Sequence, residues 1–460
     1  MNAQSIEHWG DARDSIRAFG TRIVHHAGAL RYRTVRQPPQ TKAAALRHHR
    51  GRLFSAVSKG ILPLTVAEVE RLDPDAPNHR TLRITFEGRS DREVFPNDFL
   101  SVRWRNDPAL VEAVLERLGD APDRLVRITL HGHAVFPGRS VTTSLRDALT
   151  NYIEIQTLSH ELQERYGFEH VIAHNQDALR RYRSYHKQAQ GEIPPGPGNW
   201  EADRRDVSTV SLIDKLAADG VRPGAREFFS HQCQVFLRPY TMSGFERSPD
   251  GTFRASITAS VVEKRLETAD GGTVSAPGRA TSYLASLRPG DAAEGFLLPD
   301  RHLFPQTLGR DVPLIVVCTG AGIAGPLSLL RAGYRGGPLW VVYGVRNWED
   351  HSLYGEELKS FADAGVIARL DIAESRPKSP RTPKRYVQDV LNHDPDTLVS
   401  WLRDGAHLYM GGRLSMGVSV NRAIRDLLTR TGECATEDEA NGRLLQWYDE
   451  LRFQASVSRV

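Results

Sequence analysis

Cysteine is scarce. The chain of 460 residues holds three, Cys233, Cys318 and Cys434, far apart and odd in number. This excludes a disulfide framework and any cysteine-based zinc spacing, and predicts reduced thiols in a cytoplasmic protein. Long apolar runs are missing too. Stretches such as PLIVVC (313–318) fall far short of the roughly 20 residues that a membrane span needs, and the N-terminus carries no apolar signal core. The chain therefore reads as soluble, with no membrane contact. Charge of one sign is also lacking, since a net +4 over this length gives no ground for a nucleic-acid partner. What remains is the composition of an ordinary folded protein with room for two or three domains.

The first sixty residues depart from that balance, with eleven Lys/Arg and five His against three Asp/Glu. Ile6, Trp9, Ile16, Phe19 and Ile23 recur at helical steps and predict an amphipathic helix over 5–24, followed by a loose basic segment to about Arg52. From RLFSAV to FLSVRW the alternation of apolar and polar residues, clearest in TLRITFEG, predicts half-buried antiparallel strands. NDPALVEAVLERLG opens with Asp107 and Pro108 at cap and first-turn positions and closes at Gly119, which predicts a helix. Helical patterns then dominate to about Leu216, broken at GEIPPGPGNW (191–200). Strands return at QVFLRPY and FRASITASVVEKR. Beyond Pro305, VPLIVVCTG, GPLWVVYGVRN, VIARLDIAESR and AHLYMGG alternate with helix-length stretches, the signature of a doubly wound parallel sheet.

Some segments carry the residue types that phosphate binding needs. In VVCTGAGIAGPLSLL, Gly320 and Gly322 lie between a strand and a helix, where glycine lets amides approach a phosphate at the helix N-terminus. A tight turn without a ligand calls for the same glycines. ESRPKSPRTPKRYVQD follows a strand of the same sheet and supplies Ser375, Arg376, Lys384 and Tyr386, the cations and hydroxyls that suit a terminal phosphate. A solvated basic loop is the plainer alternative. In GRATSYLASLRPGD (278–291) a glycine and hydroxyls precede a helical stretch, as in a pyrophosphate turn or a simple helix cap at Thr281 or Ser282. His231 beside Cys233 suits a packed or exposed pair on one strand face better than catalysis, the pairs His25/His26 and His48/His49 suit a solvated basic loop better than a metal, and no metal site is predicted.

Taken in order, RPYT, GRATSYL, CTGAGIAG, YGVRN with LYGEEL, SR with KRYVQ, and YMGG resemble the motifs of the ferredoxin-NADP reductase superfamily. FPNDFLSVRWRNDPALVEAVLERLG and SLRDALTNYIEI narrow the resemblance to the diflavin branch, which includes the sulfite reductase flavoprotein and the NADPH-cytochrome reductases. The resemblance runs from about residue 52 to the C-terminus. It implies a basic extension (1–51), an antiparallel FAD-binding β-barrel (52–104 and 225–304), a helical connecting insert (105–224) and a doubly wound NADP-binding α/β domain (305–460).

The resemblance also implies roles for residues. Arg238 would hold the FAD pyrophosphate at the end of a barrel strand, Tyr240 would pack on the isoalloxazine, and Thr241 would stand near the flavin N5. Arg146 would reach the pyrophosphate from the insert, and Gly278, Ala280 and Thr281 would form its turn. Thr258 and Ser260 on the next strand complete the flavin set. Gly320, Gly322, Arg346, Ser375, Arg376, Lys384, Tyr386 and Gln388 would hold NADPH, favoured over NADH.

Only some fifty residues precede the barrel, so an FMN domain, and with it FMN, is not expected. Where the family has a hydroxyl, a cysteine and an acid around the nicotinamide, this chain has Thr241, Gly411 and Ser456. The phosphate loop loses a hydroxyl at Ala321. The C-terminal aromatic that covers the flavin aligns with Ser458, although Phe453 lies upstream. The leading expectation is an electron-transfer oxidoreductase in which NADPH reduces FAD and FAD serves a separate flavodoxin, ferredoxin, haem or non-haem-iron enzyme, docked through the basic N-terminal segment. The alternatives are an FAD enzyme acting directly on a small molecule at the uncovered flavin face, and a non-catalytic partner that kept the fold.

Overall fold

The computed structural model describes residues 60–76, 80–130, 139–196, 204–300 and 311–458. The predicted N-terminal helix, the basic segment and both histidine pairs lie outside the described residues.

Three strands come first, β1 (Leu62–Arg71), β2 (Thr81–Arg89) and β3 (Phe99–Arg103). They close with β7 (Leu237–Arg247), β8 (Thr252–Ser260) and β11 (Ala292–Leu298) into an antiparallel barrel of order β1-β11-β3-β7-β8-β2. Leu64, Leu82, Ile84, Phe86, Leu100, Phe253 and Ile257 fill it. The alternation of TLRITFEG sets the inward face of β2, but Thr85 on the other face is buried as well. It is satisfied there by Ser256 directly across the pair, at 2.9 Å, so this strand is more than half-buried.

Between β3 and β7 the predicted helix forms over Pro108–Leu118. Asp107 accepts from the amides of Ala109 and Leu110, and Gly119 ends the helix in the left-handed region at φ 66°. The insert is less helical than predicted. An antiparallel hairpin, β4 (Leu125–Leu130) with β5 (Arg139–Ser144), interrupts it, because Val126 and Ile128 alternate at a two-residue period that the helical pattern around them obscures. A small sheet joins β6 (Asp206–Val207), β9 (Glu263–Glu267) and β10 (Thr273–Pro277). His231 ends the helix Ala225–Ser230 rather than lying on a strand, and its Nδ1 is 2.5 Å from Glu161.

The final unit is a parallel sheet of order β14-β13-β12-β15-β16, built from β12 (Leu314–Thr319), β13 (Leu339–Val345), β14 (Arg369–Glu374), β15 (His407–Arg413) and β16 (Phe453–Ser458). Leu314, Val316 and Cys318 enter one hydrophobic cluster while Ile315 and Val317 enter the other. Both faces are thus covered, which is why the strand reads as a continuous apolar run. All three cysteines are free, with Cys318 and Cys434 buried and Cys233 exposed.

The barrel and the sheet meet at a hydrogen-bonded seam. Asn97, in the FPNDFL stretch, takes a left-handed backbone at φ 73°. Its Oδ1 accepts from Tyr409 Oη of β15 at 2.8 Å, and its Nδ2 donates to Asp300 at 3.0 Å. A Cβ on Gly325 would lie 2.0 Å from Asn97 Oδ1, so the helix Ala324–Arg331 requires glycine there. At the other end of that helix Arg331 donates to the Ser243 carbonyl at 3.0 Å and grips Glu357 through two bonds of 2.8 Å. The Tyr354 and Thr258 hydroxyls meet at 2.6 Å.

Replacing Asn97 with Ala should lower the free energy of urea unfolding by about 2–3 kcal/mol, through the lost bonds and the left-handed backbone. Asn97→Gly should recover about 1 kcal/mol of that loss. Equal losses in the two variants would show that the backbone angle carries no cost.

Candidate functional site

Arg238, Tyr240 and Thr241 lie at the beginning of β7, not at the end of a strand as the sequence suggested, because QVF before Leu237 is irregular backbone apart from a single bridge at Gln234. The two-residue period puts Arg238 and Tyr240 on one face and Pro239 on the other, where it is exposed. Val102, Leu100 and Phe99 of β3 pair with Arg238, Tyr240 and Thr241. Burial pushes the Tyr240 phenol up to about 12, against the pull of Arg238, so it remains a neutral donor at physiological pH. Burial lowers the Arg238 pKa, and the neighbouring charge of Arg279 lowers it further.

The guanidinium placed with Arg238 is thus Arg279, which sequence reasoning missed although it stands inside the quoted GRAT motif. Arg146, assigned that task from the sequence, pairs instead with Glu112 at a half-exposed position. Arg279 lies 2.5 Å from the buried carboxylate of Glu154, which also accepts from Gln156 N, Thr157 N and Thr157 Oγ1 at 2.7, 3.2 and 2.7 Å. Burial opposes the Arg279 charge, but Glu154 and Asp206 outweigh it and raise the pKa. Asp206 binds Arg204 at 3.1 Å and Lys264 at 3.4 Å. Burial would raise the Asp206 pKa, and Arg204, Lys264 and Arg279 together bring it below the usual carboxylate value. Among the described residues the cluster brings together the cations Arg204, Arg238, Lys264 and Arg279 and the acids Glu154 and Asp206, four against two. A cation-rich cluster of this kind suits an anionic group.

Gly278 caps the helix Arg279–Ser286 with no side-chain hydrogen bond to its first amides. Thr281 Oγ1 accepts from Val262 N at 3.3 Å and donates to the Gly278 carbonyl at 3.2 Å, so it shapes the turn. Ser260 pairs with Thr81 at 3.1 Å, and Thr258 is engaged by Tyr354.

On the sheet side Gly320–Ile323 form a 3-10 turn after β12. Gly320 has φ 52°, and the space a side chain would occupy there is open. Thr319 Oγ1 is buried without a hydrogen-bond partner beside this turn, a hydroxyl two residues from the one absent at Ala321. Arg346 follows β13, Arg376 follows β14 and Arg413 ends β15, so guanidiniums flank β12 on both sides. Burial lowers the Arg346 pKa, Arg376 and Arg413 lower it further, and Asp73 pulls the other way. Arg413 was missed from the sequence, although it directly follows YMGG. The loop after β14 carries Ser375, whose Oγ donates to the Val345 carbonyl at 3.2 Å, and Arg376, whose amide donates to the Arg346 carbonyl at 2.6 Å. Lys384 lies 5.1 Å above the exposed ring of Tyr386, and Gln388 follows in the helix Val387–His393. These side chains converge on the carboxyl end of a parallel sheet, the place where such sheets bind ligands.

Gly411, Ser456 and Ser458 sit on β15 and β16, with Gly411 opposite Ser456 and Arg413 opposite Ser458. The Ser456 hydroxyl bonds Tyr409. A Cβ on Gly411 would lie 2.4 Å from the Gly322 carbonyl, and one on Gly322 would lie 2.2 Å from the Gly411 carbonyl. The turn itself therefore fills the place of a cysteine side chain. Phe453, the upstream aromatic grouped from the sequence with the cofactor-binding residues, is core instead. It is 1% exposed and packs on Trp447 and Tyr448 at 4.9 and 5.8 Å between ring centroids.

The two halves of the site face each other, because the Gly320–Ile323 turn packs against β8 and the following helix against β7. Among the described residues no group of three His, Cys, Asp or Glu could hold a metal ion, and no helix is long and apolar enough to cross a membrane.

Residues 316–422 match the family model described as Oxidoreductase NAD-binding domain. The chain is similar to the inducible nitric oxide synthase of Oryctolagus cuniculus, with 26% identity over 406 residues that cover 82% of this chain and 76% of that protein. The rat enzyme of the same name is 26% identical over 435 residues, 88% of this chain and 35% of that protein. The sulfite reductase (NADPH) flavoprotein alpha-component of Photorhabdus laumondii is 25% identical over 376 residues, 81% of this chain and 56% of that protein. The chain thus spans only part of the length of the relatives it matches.

Gly411→Ala should lower the unfolding midpoint, at a cost of about 1–3 kcal/mol, by driving a methyl into the Gly322 carbonyl. A thermal melt measures it, and an unchanged midpoint would mean that the turn yields freely.

Proposed function

We propose a function from the superfamily to which the barrel, the parallel sheet and the relatives point, the ferredoxin-NADP reductases with their diflavin branch. On this reading the chain is an FAD-dependent oxidoreductase that takes reducing equivalents from NADPH and passes electrons to a separate redox protein. The observation that carries it is the pairing of a cationic cluster at the start of β7 with a second one at the carboxyl end of the facing sheet. One suits the diphosphate of a dinucleotide flavin, and the lack of a diphosphate in FMN makes FAD the better match. The other suits a nicotinamide dinucleotide.

Once bound, NADPH supplies a hydride and FAD accepts it. The chain's own residues hold and orient. Arg238 and the turn at Gly278 bind the flavin diphosphate, and Tyr240, kept neutral by burial, packs on and donates to the flavin. Thr241 offers its hydroxyl at the reacting edge. Ser375, Arg376 and Lys384 prefer a 2'-phosphorylated adenosine, because a phosphate dianion gains charge-assisted bonds that a ribose hydroxyl cannot. With a glycine at 411 and a serine at 456, placement of the two rings does the work that a thiol and a carboxylate would otherwise share.

A second reading has its own support. Phe453 is buried in the core and Ser458 is exposed at the end of β16, so neither is placed as an aromatic cover. A flavin face left open in this way would admit a small-molecule substrate directly.

Purified protein should be yellow, and anaerobic NADPH should bleach the flavin within seconds to minutes, with NADH at least about 10-fold less effective. Arg376→Ala should remove most of that preference. Protein that stays yellow with NADPH but bleaches with a small reductant substrate would favour the second reading, and protein that never retains flavin would overturn both.

A further inference from the structure

We propose that Arg279 and the indole N–H of Trp104 are additional ligands of the flavin diphosphate, forming with Arg238 a two-sided guanidinium clamp. The inference rests on the FAD reading above and extends it to residues that the sequence motifs do not assign.

The geometry begins with how Arg279 is held. Its Nη1 alone makes the polar contacts, to Glu154 Oε2 at 2.5 Å and to Thr157 Oγ1 at 3.3 Å. Nε and Nη2 have no hydrogen-bond partner among the described residues. The side chain is 18% exposed, so these donors face accessible space rather than packed core. A guanidinium pinned on one edge and open on the other presents a fixed fork, the arrangement that binds phosphate oxygens in pairs. Glu154 cannot swing away to release it, since two backbone amides and the Thr157 hydroxyl hold that carboxylate.

Trp104 supplies an independent observation. It is 3% exposed, its ring lies 5.8 Å from the Arg279 guanidinium carbon, and it packs with Val235, Ala280 and Tyr283. Its Nε1 is buried with no partner. A buried donor of this kind costs stability unless an acceptor meets it. The indole adjoins the first turn of the helix Arg279–Ser286, whose amides carry no side-chain cap. Guanidinium fork, indole N–H and helix N-terminus are all donors. In a cluster that holds more cations than acids among the described residues, they call for an anionic acceptor.

The test uses full-length protein stripped of flavin and titrated with FAD and, separately, with riboflavin, which lacks phosphate, while flavin fluorescence reports binding. Arg279→Gln should weaken FAD binding about 10- to 100-fold and leave riboflavin binding unchanged. Arg279→Lys should fall between, keeping the charge but losing the fork. Trp104→Phe, which preserves the ring packing, should weaken FAD about 3- to 10-fold, again without touching riboflavin. Unchanged FAD affinity in Arg279→Gln and Trp104→Phe would overturn the proposal, as would an equal loss of FAD and riboflavin, which marks a purely structural role. If wild-type protein binds riboflavin and FAD equally, the diphosphate is not recognised and the clamp is refuted while flavin binding stands. If it binds neither, the functional reading itself fails and the clamp with it.

Discussion

The seam between barrel and sheet governs everything that faces across it. Asn97 bonds Tyr409 on one side and Asp300 on the other, and the glycine at 325 lets the helix approach its carbonyl oxygen. That helix packs along β7, the strand that carries Arg238, Tyr240 and Thr241, and its far end is tied to the same strand through Arg331 and the Ser243 carbonyl. Two fixed points on one helix leave little freedom to slide or tilt. The turn at Gly320–Ile323, immediately before the helix, is carried with it. The distance between the two candidate binding clusters is therefore set by packing and buried hydrogen bonds, and transfer between two bound rings falls off steeply with misplacement.

The two clusters are cationic in different ways. The one on the barrel is the more buried and is partly balanced. Glu154 and Asp206 offset part of its positive charge, and Glu154 holds the largely buried guanidinium of Arg279. An ion pair such as Glu154 with Arg279 rarely repays its desolvation in stability, so its retention is better understood as positioning a donor. The cluster on the sheet is open. Arg376 and Arg413 are exposed, and Arg346 feels both as like charges opposed by Asp73. Solvent screens that repulsion at modest cost. A more buried, partly neutralised site suits a ligand that stays, and an open, unbalanced one suits a ligand that comes and goes. This is the division of labour expected of a resident flavin and an exchanging nucleotide under the proposed function.

Much of this was legible in the sequence, for physical reasons that differ by element. The parallel sheet announced itself because strands buried on both faces are uniformly apolar, as in LIVVC, and the Pro108–Leu118 helix because Asp107 and Gly119 punctuate it. The β4–β5 hairpin did not, since its short two-residue alternation is embedded in a region of helical periodicity. Within the candidate site, residues that shape backbone turns, such as Gly320, Gly278 and Thr281, could be placed from motif order. Arg279 and Arg413 could not. Each stands inside or directly after a motif, but their significance lies in which charges surround them, and Glu154 is 125 positions from Arg279 in the chain. Phe453 failed for the opposite reason. An aromatic near the C-terminus is equally good as core, and only the rings of Trp447 and Tyr448 decide which it is.

The glycine at 411 links packing to chemistry. Its absent side chain and that of Gly322 allow two backbones to touch where strand β15 passes the turn after β12, and Gly412, at φ 146°, closes over Thr319 in a space that no side chain could share. A thiol at 411 would demand that the turn withdraw, and the turn is fixed by the helix that Asn97 and Arg331 hold. Seam and turn together therefore exclude a cysteine here more firmly than any one contact would. Under the proposed function, chemistry at this edge would rely on the orientation of what is bound, with Thr241 on the barrel side and Ser456, beside Tyr409, on the other. A site so built would gain its rate from alignment, and alignment is the property that a rigid seam supplies.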